Sequence, residues 1–254
     1  MDYPQPKHSK ILVIGETCID RYVMGTCERI SPEAPVPVLK TNDVISKAGM
    51  ASNVSTNIIT LGQTTDLVTN KTKILKTRYM DAKTKQHILR VDESDYCSEI
   101  MDEYLNLFLE NEYDATVISD YDKGFLPAGT LKRIVSKLPG PVFVDTKKKD
   151  LSIFENCIIK INEAESKQVY NLPASSFLIV TLGGRGAKFR GEILPTDSCE
   201  VIDVCGAGDT FLSALAVHHC QYGNIRDAIR FANKCARVTV QKTGVCSVTL
   251  EDLK

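Results

Sequence analysis

Five short apolar runs, at residues 11–14, 116–119, 142–144, 158–161 and 177–181, punctuate the chain, most of them ending on a polar or glycine residue. Runs of this length and character predict strands buried on both faces. Segments of helical period lie between them. One covers residues 51–61 and is stopped by Gly62; another is opened by Pro127 and puts Leu131, Ile134, Val135 and Leu138 on one face. This alternation predicts an α/β fold, with a largely parallel sheet and helices on both sides. A chain of 254 residues can bury such a core without staples. Its nine cysteines are scattered and never spaced C-x-x-C, so neither a zinc site nor a disulfide framework is expected, and a reducing cytoplasm fits.

Two regions break the pattern. Residues 29–40 carry Pro32, Pro35 and Pro37 through extended sequence, and residues 74–91 place two alternating runs around 81–85. Both resemble exposed strands, the second a hairpin. They are either edge decoration or a small β-lid over the strand ends, where open α/β sheets bind ligands. The opening Met-Asp-Tyr-Pro-Gln-Pro is polar and no apolar stretch reaches the length of a bilayer, so no signal peptide and no membrane partner is expected. Lys and Arg total 31 against 32 for Asp and Glu, which gives no reason to expect a nucleic acid.

The strongest local signal is Asp203-Val-Cys-Gly-Ala-Gly-Asp209-Thr, followed by the helical run Phe211, Leu212, Leu215, Ala216. A glycine turn at a helix start aims unpaired N–H groups outward, where with the helix dipole they stabilise a transferring phosphoryl group. Asp209 beside that turn can accept the proton of an attacking hydroxyl. Taken alone, the same residues also describe an ordinary helix start with a first-turn charge.

The full string resembles the signature of ribokinase-like sugar kinases, whereas neither a Walker motif nor the H-R-D and D-F-G of protein kinases occurs. Ile14-Gly15-Glu16, Ile19-Asp20-Arg21-Tyr22 and the run Arg29-Ile-Ser-Pro-Glu-Ala-Pro-Val-Pro-Val38 are similar to one subgroup, the D-glycero-β-D-manno-heptose 7-phosphate kinases of bacterial lipopolysaccharide biosynthesis. The resemblance implies a ribokinase-like three-layer α/β/α sandwich, with a mostly parallel central sheet, spanning 1–254 as a single kinase domain. Its β-lid would come from about 23–41 and 74–92. It implies Gly206, Ala207 and Gly208 as the anion hole, Asp209 as the base, and Asp203 near a monovalent cation such as K⁺. Around the sugar it implies Asp20, Arg29, Gly49, Asn53, Lys76, Arg78, Asp120 and Lys123, the lysines and Arg78 suiting a phosphate already on the substrate. On the ATP side it implies Asn162, Glu165, Thr181, Gly183, Gly186 and Asn233, with Glu165 organising Mg²⁺ through water. The implied reaction places the γ-phosphate of ATP on the anomeric hydroxyl of a heptose 7-phosphate, giving a 1,7-bisphosphate. A homodimer through the lid is implied as well.

Several residues depart from the resembled pattern. Met50 and Asp122 stand where glycine is usual, and between Gly62 and Lys71 only eight residues replace an expected α/β unit. The nucleotidyltransferase domain of some relatives is not expected within these residues. A kinase for another sugar or a nucleoside, and a non-catalytic sugar-phosphate or nucleotide sensor, stay open as alternatives.

Overall fold

The computed structural model describes residues 8–254; the opening seven residues, part of the segment in which no leader is expected, lie outside it. The first half of the chain runs β1 (Lys10–Gly15), β2 (Thr17–Ile30), β3 (Pro37–Met50), α1 (Ala51–Thr60), β4 (Thr64–Val68), β5 (Ile74–Asp81), β6 (His87–Glu93), α2 (Asp102–Leu109), β7 (Ala115–Asp120) and α3 (Ala128–Ile134). The second half runs β8 (Val142–Thr146), β9 (Cys157–Asn162), α4 (Glu163–Ser166), β10 (Phe177–Thr181), β11 (Ala187–Phe189), β12 (Glu192–Leu194), α5 (Ala207–Tyr222) and α6 (Ile225–Thr239).

Eight strands form one sheet in the order β12-β11-β10-β9-β8-β7-β1-β4, parallel from β10 to β4 and antiparallel through β11 and β12. Alternate residues of β1 show why the runs are apolar throughout. Ile11 and Val13 join a core with Val54, Phe211 and Leu215, whereas Leu12 and Ile14 join one with Leu105, Ile118 and Leu131. Helices α1, α5 and α6 therefore cover one face and α2 and α3 the other, the three-layer arrangement the sequence predicts. Among the described residues no helix is long and apolar enough to cross a membrane.

The remaining four strands form the lid sheet, ordered β3-β2-β5-β6. It is longer than the sequence suggests: β2 and β3 have 14 residues each and reach back to Thr17 and forward to Met50. Apolar and polar residues mix irregularly along these strands, so their roots do not read as strands. Pro37 opens β3, the strand position where its missing N–H does least harm. One side chain stitches together the two segments by which the chain enters the lid. Asn70 accepts from the Thr17 N–H at 2.7 Å and donates to the carbonyls of Thr17 and Thr72 at 3.3 and 2.6 Å.

Strand β4, which the sequence did not announce, pairs with β1 on one side only among the described residues. Its central Asp66 takes Lys10 at 2.8 Å and the Tyr113 hydroxyl at 2.7 Å, and a charged edge of this kind discourages pairing with another chain. Five residues then lead directly into the lid, which is where the expected α/β unit is missing.

Candidate active site

Helix α5 starts at the glycine turn. Gly206 is its N-cap with φ 78°, a left-handed conformation that glycine adopts without penalty, and among the described residues no side chain caps the helix. The Ala207 N–H turns back to the Val204 carbonyl at 3.3 Å, and the N–H groups of Gly208 and Asp209 are the ones left for a ligand. Gly208 passes so close to β9 that a Cβ there would lie 2.9 Å from Lys160 Nζ. Asp209 follows in the first turn and is 95% buried, since only 5% of its surface is exposed.

Two donors hold the Asp209 carboxylate. Asn53 Nδ2 on α1 gives a hydrogen bond to Oδ2 at 3.0 Å and the Tyr121 hydroxyl one to Oδ1 at 2.6 Å. Burial pushes the carboxyl up to about 6, a rise that Asp145 reinforces and that the two donors and Lys160 restrain. A carboxylate with that affinity for a proton is suited to general-base work near neutral pH. Beneath it Lys160 and Asp145, both buried, pair across β9 and β8 at 2.5 Å.

On the lid side β2 and β5 run parallel with Asp20 opposite Lys76. Asp20 is buried and forms an ion pair with Arg78, which orients its carboxylate and leaves acceptor sites for further donors. A Cβ on Gly49 would collide with that carboxylate, which explains glycine there. Lys76 is also buried but pairs with no carboxylate among the described residues; its ammonium lies 5.5 Å from the Tyr121 ring centre. Lys123 is bound to Asp95. Asp120 accepts from the Thr146 hydroxyl at 2.6 Å and the Asp122 N–H at 3.0 Å, with Lys148 beside it, and so serves the loop after β7. Arg29 is exposed at the far end of β2; nine residues of extended strand put it about 30 Å from Asp20 in the same chain. The lid meets the body through Tyr22, whose hydroxyl accepts the Val245 N–H at 3.0 Å.

The nucleotide side is a cavity of about 340 Å³ between the glycine turn, Thr181, Gly183, Gly186 and α6. Gly183 and Gly186 have φ of 59° and 92°. Asn233 lines the cavity, but its amide donates to the carbonyls of Leu194 and Pro195 at 2.9 and 3.4 Å and so shapes the wall. Asn162 and Glu165 form a reciprocal capping box on α4, and Glu165 also takes Lys147. Asp203 clamps two loops, accepting from Cys205 N–H at 2.9 Å and Gly244 N–H at 2.8 Å. Among the described residues no cluster of three metal-ligating side chains exists. Mg²⁺ brought in by phosphates needs only one or two carboxylates, and Asp145 Oδ1, buried and without a partner among the described residues, is such an oxygen close to Gly208. The donor set therefore fits Mg²⁺, with Asp145 and Glu165 as the carboxylates that would hold it.

Sequence reasoning missed Glu16 and the Lys160–Asp145 pair as parts of the site, and the contact of Tyr121 with Asp209. A lysine interrupting the apolar Ile158-Ile159-Lys160-Ile161 was the available signal, because a buried ammonium must find a partner. Met50 and Asp122, which stand where the resembled pattern has glycine, have φ of 59° and 55°, the left-handed region that favours glycine.

Sheet order, lid and glycine turn together define a ribokinase-like fold. The structure aligns with a crystal structure of ribokinase from Thermotoga maritima with TM-score 0.71, 16% identity and 96% and 98% of the two chains covered. It aligns with phosphofructokinase-2 from Escherichia coli in complex with potassium with TM-score 0.78, 15% identity and coverage of 96% and 97%. The chain belongs to the pfkB family of carbohydrate kinases, a class of ATP-dependent phosphotransferases, the family model matching residues 126–252. A curated relative, the bifunctional protein HldE of a Nitratiruptor species, is 33% identical over 298 residues covering 96% of this chain and 64% of its own. The chain thus spans just under two thirds of that relative, and the 298-residue match exceeds the 254 residues present here, in keeping with a missing unit.

Proposed function

We propose that this protein transfers the γ-phosphate of ATP to a sugar that already carries a phosphate, namely to the anomeric hydroxyl of D-glycero-β-D-manno-heptose 7-phosphate. The observation that carries the reaction is a buried, proton-hungry Asp209 beside an uncapped glycine turn. Asp209 takes the proton of the attacking hydroxyl while the turn and Lys160 stabilise charge on the phosphoryl group. Mg²⁺, when bound, screens the nucleotide phosphates, and Asp203 stands by the loop where K⁺ would act. Lys76, an ammonium without a carboxylate among the described residues, is the group offered to the substrate's own phosphate. The heptose itself is supported by the Arg29 to Val38 run and by the HldE relative.

The test is ADP release with Mg·ATP over phosphorylated heptoses, hexoses and pentoses, with and without K⁺. Turnover of the heptose 7-phosphate, lost in Asp209→Asn, is expected. Preference for another phosphorylated sugar would move the substrate assignment, a second reading that Met50 and the shortened span before the lid favour. Binding of ATP and sugar without ADP release would leave a sensor. Lid-to-lid pairing of two copies belongs to the same proposal, since Ile30, Val36, Val44 and Leu89 are exposed apolar residues of the lid. Sedimentation as a monomer at assay concentration would remove it.

A further inference from the structure

Tyr121 lies in the run Ser119-Asp120-Tyr121-Asp122-Lys123-Gly124, which resembles a family motif around the sugar but gives the tyrosine no role of its own. Its hydroxyl lies 2.6 Å from Asp209 Oδ1. Two ammonium groups flank its ring, Lys76 Nζ from the lid at 5.5 Å and Lys147 Nζ from the end of β8 at 5.4 Å from the ring centre. Lys147 is itself tied to Glu165 on the nucleotide side, so the ring stands where the sugar side and the ATP side meet. The backbone beneath it is pinned from inside the body. Glu16, fully buried just past β1, accepts the N–H groups of Tyr121, Lys123 and Phe125 at 2.8, 3.0 and 3.3 Å. A buried carboxylate gathering three backbone donors fixes a loop far more firmly than the loop's own turn could.

We propose that Tyr121 is the positioning residue of the base: anchored through Glu16, its hydroxyl aims the Asp209 carboxylate at the junction of donor and acceptor and holds it there through turnover. The proposal rests on the reading of Asp209 as general base. The phenol keeps its own proton, because burial and the neighbouring Asp209 and Asp145 hold Tyr121 well above the ordinary tyrosine range. The hydrogen bond also favours the ionised carboxylate, so the enzyme stays active to lower pH than burial alone would permit. The charged and titratable groups that face Asp209 besides Tyr121 are Cys18 from β2, Asp145 from β8, Lys147 after it and Lys160 from β9.

The test compares pH profiles of kcat/KM for the wild type, Tyr121→Phe, Asp209→Asn and a protein carrying 3-fluorotyrosine at position 121. The last is nearly isosteric and its more acidic phenol donates a stronger hydrogen bond. In the phenylalanine variant the acid limb should rise by about one pH unit and kcat should fall about tenfold, with KM for ATP unchanged. With fluorotyrosine the limb should move the other way. Titration of the Asp209 carboxyl by ¹³C NMR reads the same two shifts without turnover. An acid limb at the wild-type pH in both proteins overturns the positioning role while leaving Asp209 as base. Full activity of Asp209→Asn overturns the base itself, and Tyr121 with it.

Discussion

Replacing Asp209 by asparagine should abolish transfer and, at the same time, make the protein harder to unfold at alkaline pH. The carboxyl ordinarily ionises near 3.8 and is raised to about 6 in the folded chain, chiefly by burial. The folded state therefore holds its proton more tightly than the unfolded one. This group's contribution to stability is present in full below pH 3.8 and is lost as pH rises through 6. Each unit between the two values is worth about 1.36 kcal/mol, so keeping the residue ionised at pH 8 costs the fold about 3 kcal/mol. Asparagine escapes that cost, although its amide nitrogen would face the Asn53 donor and give part of the gain back. The pH dependence is free of this offset. Between pH 8 and pH 5 the wild type should gain about 1.4 kcal/mol relative to the variant, and the variant's advantage should shrink by that amount. For a chain of this length that is about 3–6 °C in Tm. Urea unfolding of both proteins at pH 5, 6, 7 and 8 measures it. A difference that stays flat across this range would show that Asp209 is not a proton-hungry carboxylate, and the base assignment would lose its physical ground.

Lys160→Met leaves Asp145 buried and unpaired, and should cost about 3–5 kcal/mol of stability by chemical denaturation. Adding Asp145→Leu to it should recover most of that loss while leaving the enzyme inactive. Lys76→Met should raise KM for a phosphorylated sugar about 10- to 100-fold, the worth of one charge-assisted hydrogen bond, and leave KM for ATP unchanged in coupled assays. An unaltered KM for the sugar phosphate would take the substrate phosphate away from Lys76.

The body sheet was legible because strands buried on both faces have no polar period to hide behind, as Leu12 and Ile14 opposite Ile11 and Val13 show. Helix α1 was legible for a different reason, its stop at Gly62 with φ 87°. Strand β4 was not, because an edge strand with Asp66 at its centre carries neither a long apolar run nor strict alternation. The glycine turn and Asp209 could be found from one contiguous string, Asp203 to Thr210, whose resemblance to a family signature decided between a phosphate site and an ordinary helix start. Tyr121 and Glu16 could not, as their meaning arises from contacts across 88 and 105 positions of sequence. The partners of Asp20, Asp120 and Lys123 were equally out of reach of the sequence: Arg78, Thr146 and Asp95 orient them through contacts that no local pattern announces.

Asn70, stitched to Thr17 and Thr72, gives the lid no slack at its root. A plate whose two entering segments are bonded together, and whose β3 runs directly into α1, opens by twisting along its length, as a leaf spring does, and not by swinging on a loose hinge. The travel is then greatest at the distal tip near Arg29 and smallest at Asp20. Spin labels placed near residues 31–36 should report opening that labels beside Gly49 scarcely register, and a protease should find its first cut at that tip and not between β4 and β5.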